Sequence, residues 1–202
     1  MFRLAFAAVL AFFAQAAHAT TYTLEPNYTQ GVLRWDHLGF SYPAAQFAQG
    51  TGTLEFDETD PTMSSIKVII PLASLNTGVP DLDEHLKSED FFEVAKFPTA
   101  TFVSTRVEKG MGMNRFKVTG NLTIRKVTKP VMLDVTLLKV GKNARTEVAT
   151  IGFDARGTLK RSDFGLGAHV PQVSDEVQLL ITTQAAEAKA QAAWLEAKKA
   201  RK

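Results

Sequence analysis

Apolar and polar residues alternate through most of the chain. Between positions 116 and 124, Phe116, Val118, Gly120, Leu122 and Ile124 share one face, while Lys117, Thr119, Asn121 and Thr123 share the other. Val131, Leu133, Val135 and Leu137 repeat the pattern, as do Ala149, Ile151, Phe153 and Ala155, and then Val177, Leu179 and Ile181. Ile66, Val68 and Ile70 form another set, and Leu54 with Phe56 a shorter one. A period of two is the mark of antiparallel strands with one buried face. Turn-forming stretches separate these runs, including Glu58-Thr59-Asp60-Pro61, Gly110-Met111-Gly112 and Gly141-Lys142-Asn143. The pattern predicts an all-β domain of about eight strands between residues 20 and 184. Strands that each have a single interior face favour a barrel over a sandwich, because closure removes the sheet edges. A barrel of about eight strands either fills with its own side chains or holds one slender ligand.

Two segments break the alternation. Pro80 to Ser88 reads as one short helix, with proline near its start and acids in the first turn. The run "QAAEAKAQAAWLEAKKARK" is rich in alanine and has no breaker, so residues 185–202 read as a helical tail. Between helix and strand lies "SEDFFEVAKFPTATFVST", residues 88–105. Pro98 biases Phe97 towards an extended conformation and starts a strand that turns Ala100, Phe102 and Ser104 to one face. Phe91 and Phe92 then sit at the barrel rim, either as a plug that closes the core or as the lining of an opening.

The first residues change the cellular picture. Met1-Phe2-Arg3 leads into an apolar run from Leu4 to Ala14, and Ala17-His18-Ala19 supplies small residues for a cut after Ala19. This is the layout of a secretory leader over residues 1–19, and it implies export, in a bacterium to the periplasm. With no cysteine among 202 residues the chain forms no disulfide, so its core and hydrogen bonds must hold it together. The formal net charge is +2. The tail concentrates basic groups, with Lys189, Lys198, Lys199, Arg201 and Lys202 against Glu187 and Glu196. The rest of the exported domain is then weakly acidic, which gives no electrostatic footprint for nucleic acid. The tail itself reads as a solvated terminus or as a weak contact with an anionic membrane surface.

Candidate chemistry is sparse. His37, His85 and His169 have no metal-ligand spacing with one another or with acids, and no metal site is expected. No G-x-S-x-G elbow occurs, and strands do not alternate with helices as that hydrolase architecture requires. The letters Asp-Phe-Gly in "RSDFG" lack every other kinase element and read as a turn, with Arg161 and Asp163 on the surface.

Longer stretches carry a resemblance. They are "HLGFS" at 37–41, "GTGTLEFDETDP" at 50–61, "SLNTGVPDLDEHLKSEDFFEVAKFPTATFVST" at 74–105, "VTGNLTIRKVTKPVML" at 118–133 and "RSDFGL" at 161–166. In order and spacing they resemble the YceI-like periplasmic proteins, which bind polyisoprenoid lipids in a lipocalin-like barrel. The resemblance covers roughly residues 21–184. It implies a lipocalin-like barrel with a long apolar cavity for an isoprenoid chain, either a ubiquinone-like quinone tail or a prenyl phosphate. It implies no catalysis and no required cofactor. The residues expected to line the cavity are His37, Phe40, Phe47, Phe91, Phe92, Phe102, Leu122, Leu133, Phe153 and Phe164. Two positions depart from the family pattern. Leu82 stands where the family usually has arginine, and Lys126 where it tends to have glycine; a positive φ at Lys126 would carry strain. The alternatives to a lipid carrier are an adaptor or stress-response protein with a filled barrel, and an enzyme that acts on a lipid in the same pocket.

Overall fold

The computed structural model describes residues 19–200. The leader read over residues 1–19 lies outside them except for Ala19, as do the last two residues of the tail. Ten strands form one antiparallel sheet: β1 (Thr20–Leu24), β2 (Gln30–His37), β3 (Ala44–Phe47), β4 (Thr51–Phe56), β5 (Ser65–Pro71), β6 (Thr99–Lys109), β7 (Arg115–Ile124), β8 (Val127–Lys142), β9 (Ala149–Lys160) and β10 (Val173–Glu187). Helix α1 (Pro80–Lys87) lies between β5 and β6, and α2 (Ala188–Lys199) follows β10.

Eight strands, β1-β4-β5-β6-β7-β8-β9-β10, close into a ring through pairing of β1 with β10. At that seam Tyr22 lies opposite Glu187 and Leu24 opposite Ala185. The other two strands lengthen the wall rather than adding a layer. β2 pairs with β10 on the side that β1 also occupies, and β3 pairs with β2. A single 3-10 turn at Pro26–Tyr28 separates β1 from β2, because proline supplies no ladder N–H and bends the chain. The expected eight strands are therefore present, with two of them broken at mid-length.

The alternation of the sequence is the inside and outside of this ring. Phe102, Val118, Leu122, Ile124, Val131 and Leu133 are all buried in one cluster. A second, smaller cluster of Tyr22, Leu24, Leu54, Phe56, Ile151 and Ala185 fills one end of the barrel. That far end also carries the β4–β5, β6–β7 and β8–β9 turns and α2. The opposite end carries α1, the β2–β3 and β7–β8 turns, and the loop between β9 and β10.

Two local features differ from the sequence expectation. Helix α2 begins at Ala188 and not at 185, because Ala185 and Ala186 are each 1% exposed and paired with β9 and β1. Alanine favours helix, but ladder bonds and burial outweigh a propensity of a few tenths of a kcal/mol per residue. In the β7–β8 turn the left-handed residue is Arg125 (φ 55), one position before Lys126.

Candidate functional site

A cavity of about 710 Å³ occupies the barrel. This lies within the ~300–1,000 Å³ typical of small-molecule sites. Its wall is almost wholly aliphatic and aromatic, and every strand contributes inward side chains to it. Along β7 the lining runs from Phe116 to Ile124. At about 3.3 Å per residue and a strand tilt of roughly 40°, those positions give a depth of about 20 Å. The space is deep and narrow, the shape of an extended chain.

Glycine makes some of that room. A Cβ at Gly120 would stand 2.3 Å from Phe102 Cζ, and one at Gly157 would stand 2.8 Å from Leu133 Cδ2. Both large side chains lie flat across a neighbouring strand where a side chain is missing, which leaves the centre of the barrel open.

The two ends differ. The far end is closed by the second cluster, where Phe56 packs edge-on against Tyr22 and Phe153 with ring centroids 6.4 Å apart in each case. Here the cavity serines, Ser64 and Ser65, border the space. Thr29 and Thr183 border it near the break between β1 and β2. Their hydroxyls bond each other at 2.7 Å, and Thr29 Oγ1 donates to Glu25 O, so neither presents a free polar group.

The other end is the mouth. His37 from the end of β2, His85 from α1, and His169 and Gln172 from the β9–β10 loop all border the cavity there. The His85 ring lies 4.9 Å from that of Phe91 and 6.3 Å from that of His169. The three histidines are exposed, so the polar fringe of the site faces water while the tunnel behind it is apolar. The serines and the histidines stand at opposite ends. Acyl-transfer chemistry needs a nucleophile and a base in contact, and among the described residues the cavity serines and histidines are not brought together. Among the described residues, no group of three or more histidines, aspartates and glutamates is placed to hold a metal.

The segment that opens at Ser88 forms a lid. Phe91 and Phe92 are 9% and 6% exposed and both border the cavity. They line the opening and close part of it, with Phe92 edge-on to Phe47 at 5.6 Å. Arg125 fastens the lid to the β7–β8 turn. Its Nη1 donates to Phe91 O at 3.2 Å and its Nη2 to Glu93 Oε2 at 2.8 Å. Arg125 and Glu93 both have positive φ, so tertiary contacts hold two sterically disfavoured residues in place.

A second fastening overturns the surface position expected for Arg161. Its side chain is buried and borders the cavity, whereas Asp163 is exposed. Nε donates to Ser174 O at 2.8 Å, Nη2 to Val173 O at 2.9 Å, and Nη1 to Ala168 O at 2.7 Å and to Leu166 O. Burial lowers the guanidinium pKa, and the Asp175 carboxylate nearby opposes that shift. One side chain thus ties down the loop that carries His169 and Gln172. Charge-assisted bonds to carbonyls in a shielded site are strong, and losing their donor would leave buried acceptors unpaired.

Of the residues expected to line the cavity, His37, Phe47, Phe91, Phe92, Phe102, Leu122, Leu133 and Phe153 do so. Phe40 does not; it is 90% exposed beyond the tight turn after His37. Phe164 is 2% exposed within the main core cluster but lies behind the wall. Its 3-10 turn (Arg161–Phe164) points it into the packing under the loop. The sequence reading missed Leu33 and Trp35, whose spacing with His37 is the same period of two. One face of α1 also brings Leu82, His85 and Leu86 to the mouth, none of them among the residues expected to line the cavity.

Comparison with known proteins agrees with this geometry. The curated YceI proteins of Salmonella arizonae and Salmonella enteritidis are each 38% identical over 157 residues, covering 78% of this chain and 81% of theirs. The crystal structure of Campylobacter jejuni YceI superposes with a TM-score of 0.67 at 32% identity, over 76% of this chain and 90% of that one. Burkholderia cenocepacia BcnA gives 0.68 at 25% identity, over 78% and 95%. A domain from Saccharophagus degradans, described as polyisoprenoid-binding and implicated in plant cell wall breakdown, shares the fold with a TM-score of 0.59 at 15% identity, over 84% and 99%. The family model for the YceI-like domain matches residues 22–185, from the first strand of the ring to the seam that closes it. By sequence match and by barrel, the chain belongs to the YceI-like family.

Proposed function

We propose that this protein is an exported carrier that holds a polyisoprenoid lipid, an isoprenoid quinone or a prenyl phosphate, in its barrel. The observation that carries this reading is the shape and lining of the cavity. It is deep, narrow and mostly apolar, closed at one end by packed aromatic rings and lined at the other by three histidines and a glutamine. Burying each methylene contributes about 0.8 kcal/mol, so a chain of several isoprene units binds tightly without any reactive group. The head then rests at the mouth beside His37, His85, His169 and Gln172, and the tail points towards Phe56. The Saccharophagus neighbour described as a polyisoprenoid-binding domain supports the ligand class. The leader read at residues 1–19 supports a periplasmic site of action. The role is one of binding and not catalysis, in keeping with serines and histidines kept at opposite ends of the cavity.

Organic extraction of protein purified from a native periplasm, followed by mass spectrometry, tests the reading. An isoprenoid should appear at near one equivalent in the wild type. It should be strongly depleted in Ala155→Phe, where a ring is added to a cavity-lining position, while circular dichroism shows the barrel intact. Wild-type protein that carries no isoprenoid, or a variant that carries as much as wild type, would overturn it.

A further inference from the structure

The mouth has an apolar rim that the cavity itself does not explain. Phe40 is 90% exposed, Tyr42 57% and Leu38 50%, all on the turn between β2 and β3. The turn is rigid. His37 N donates to Ser41 O, Phe40 N donates to His37 O, and Gly39 N donates to Asp36 Oδ1 at 2.7 Å. Leu38 and Gly39 both have positive φ, with Leu38 at 58. For a branched side chain that is a conformation with a cost. Backbone strain and fixed hydrogen bonds here hold a phenylalanine out in water, so its exposure is built in and not a loose end.

Three observations say what meets this rim. Leu38 is both half-exposed and part of the cavity wall, so the outer apolar surface runs without a break into the tunnel. Leu38 N donates to Gln172 O at 3.2 Å, which joins the turn to the neighbouring loop carrying His169 and the exposed Val170. Behind Phe40, the guanidinium of Arg34 sits 4.8 Å over the ring of Tyr42. A tyrosine paired with a cation, set back from a protruding phenylalanine, is the layering that residues adopt at a bilayer surface.

We propose that the β2–β3 turn is a membrane wedge. Phe40 and Leu38 enter the outer part of a lipid leaflet, Arg34 and Tyr42 rest among its head groups, and the mouth opens onto the layer that holds the cargo. This rests on the lipid-carrier reading, since a cargo dissolved in a bilayer has to cross from the membrane to the tunnel without passing through water. The basic residues of α2 leave from the far end of the barrel, so a membrane contact by the tail would turn the mouth away.

Flotation with neutral phosphatidylcholine vesicles that carry a long-chain isoprenoid quinone tests the wedge. Wild-type protein should float with the vesicles at high as well as low salt, because apolar insertion is not screened. Phe40→Asp should reduce flotation and the rate of quinone uptake about tenfold or more, given the transfer energy of one aromatic side chain. The same variant, loaded with quinone from detergent micelles, should reach the wild-type content, because Phe40 is outside the cavity. Met111→Asp, at an equally exposed residue of the far end, should behave as wild type. The wedge is overturned if Phe40→Asp floats like wild type, if Met111→Asp is as damaging, or if Phe40 instead drives a dimer seen by light scattering. Failure of wild type to take either quinone or a prenyl phosphate from detergent would sink the carrier reading alone, because flotation still judges the rim.

Discussion

Gly120 has a stake in both stability and capacity. A methyl group there meets Phe102 Cζ at 2.3 Å and Val103 O at 2.7 Å. The ring can swing into the cavity, but the backbone oxygen cannot. Gly120→Ala is expected to cost about 1–3 kcal/mol in denaturant melts and to lower lipid content; wild-type values for both would show that Phe102 does not lie across the glycine. Asp57 sets a pH dependence. Its buried carboxylate accepts from Thr59 Oγ1 at 2.6 Å and from Thr59 N and Asp60 N at 2.9 Å each. The Thr59 hydroxyl, then the Asp60 amide, hold its pKa below the usual carboxylate range. A lowered folded pKa contributes stability that is present above the unfolded value of about 3.9 and lost as pH falls through the folded one. Asp57→Asn should therefore be less stable than wild type at pH 7, and the gap should narrow as pH drops below about 4; a gap that stays constant would assign the loss to packing. At this scale the sequence was only partly legible. Inward residues such as Leu122 and Leu133 follow from parity. Arg161 does not, because its burial depends on four carbonyls brought together by a loop. Phe40 does not, because two left-handed residues before it cancel the alternation.

Individual elements were legible wherever a period ran unbroken. α1 begins at the proline that marks it, and β6 begins directly after Pro98. Bulges were not legible. The register of β6 shifts between Ser104 and Arg106, so Val107 borders the cavity although its parity is opposite to that of Phe102. An inserted residue leaves no compositional trace in one strand, because it exists only relative to its partner. The boundary of α2 is a sharper case and yields a prediction. The helix is capped by Glu187, which accepts from Lys189 N and Ala190 N, and it reaches the barrel through Gln191 Nε2 donating to Glu25 Oε1 at 3.2 Å. Ending the chain after Glu187 should shift the melting temperature by no more than about 2 °C, a loss of roughly 1 kcal/mol or less. Ending it after Gln184 removes Ala185 and Ala186 from between β1 and β9 and uncovers Leu24 and Ile151. That should cost at least about 3 kcal/mol. Equal melting of the two truncations would mean that the seam contributes nothing there.

The molecule as a whole is a shell around a space, and on the carrier reading its stability is coupled to what fills that space. Ligand that binds only the folded barrel adds about 2.7 kcal/mol at a hundredfold excess over its Kd, roughly 5–10 °C for a domain of this size. Protein stripped by organic solvent and refolded should melt lower by that order than loaded protein and recover on reloading; identical melting would argue for a barrel that does not depend on its contents. The seam has a different consequence, in time. Tyr22 pairs with Glu187, so the ring joins the first strand of the domain to the last. Closure across such a span is slow, because the entropy of the intervening chain is spent before the contact forms. No amount of early folding can complete the barrel while β10 is missing, and a chain emerging N-terminus first leaves β1 with only half its partners until synthesis is nearly over. The protein is thus a late folder by topology, a property that suits the export proposed above, because an incomplete barrel stays threadable. Refolding monitored by stopped flow should show a dominant slow phase in the full domain that disappears in a circular permutant with β10 placed directly before β1. An unchanged rate in that permutant would mean that closure of the seam is not the slow step.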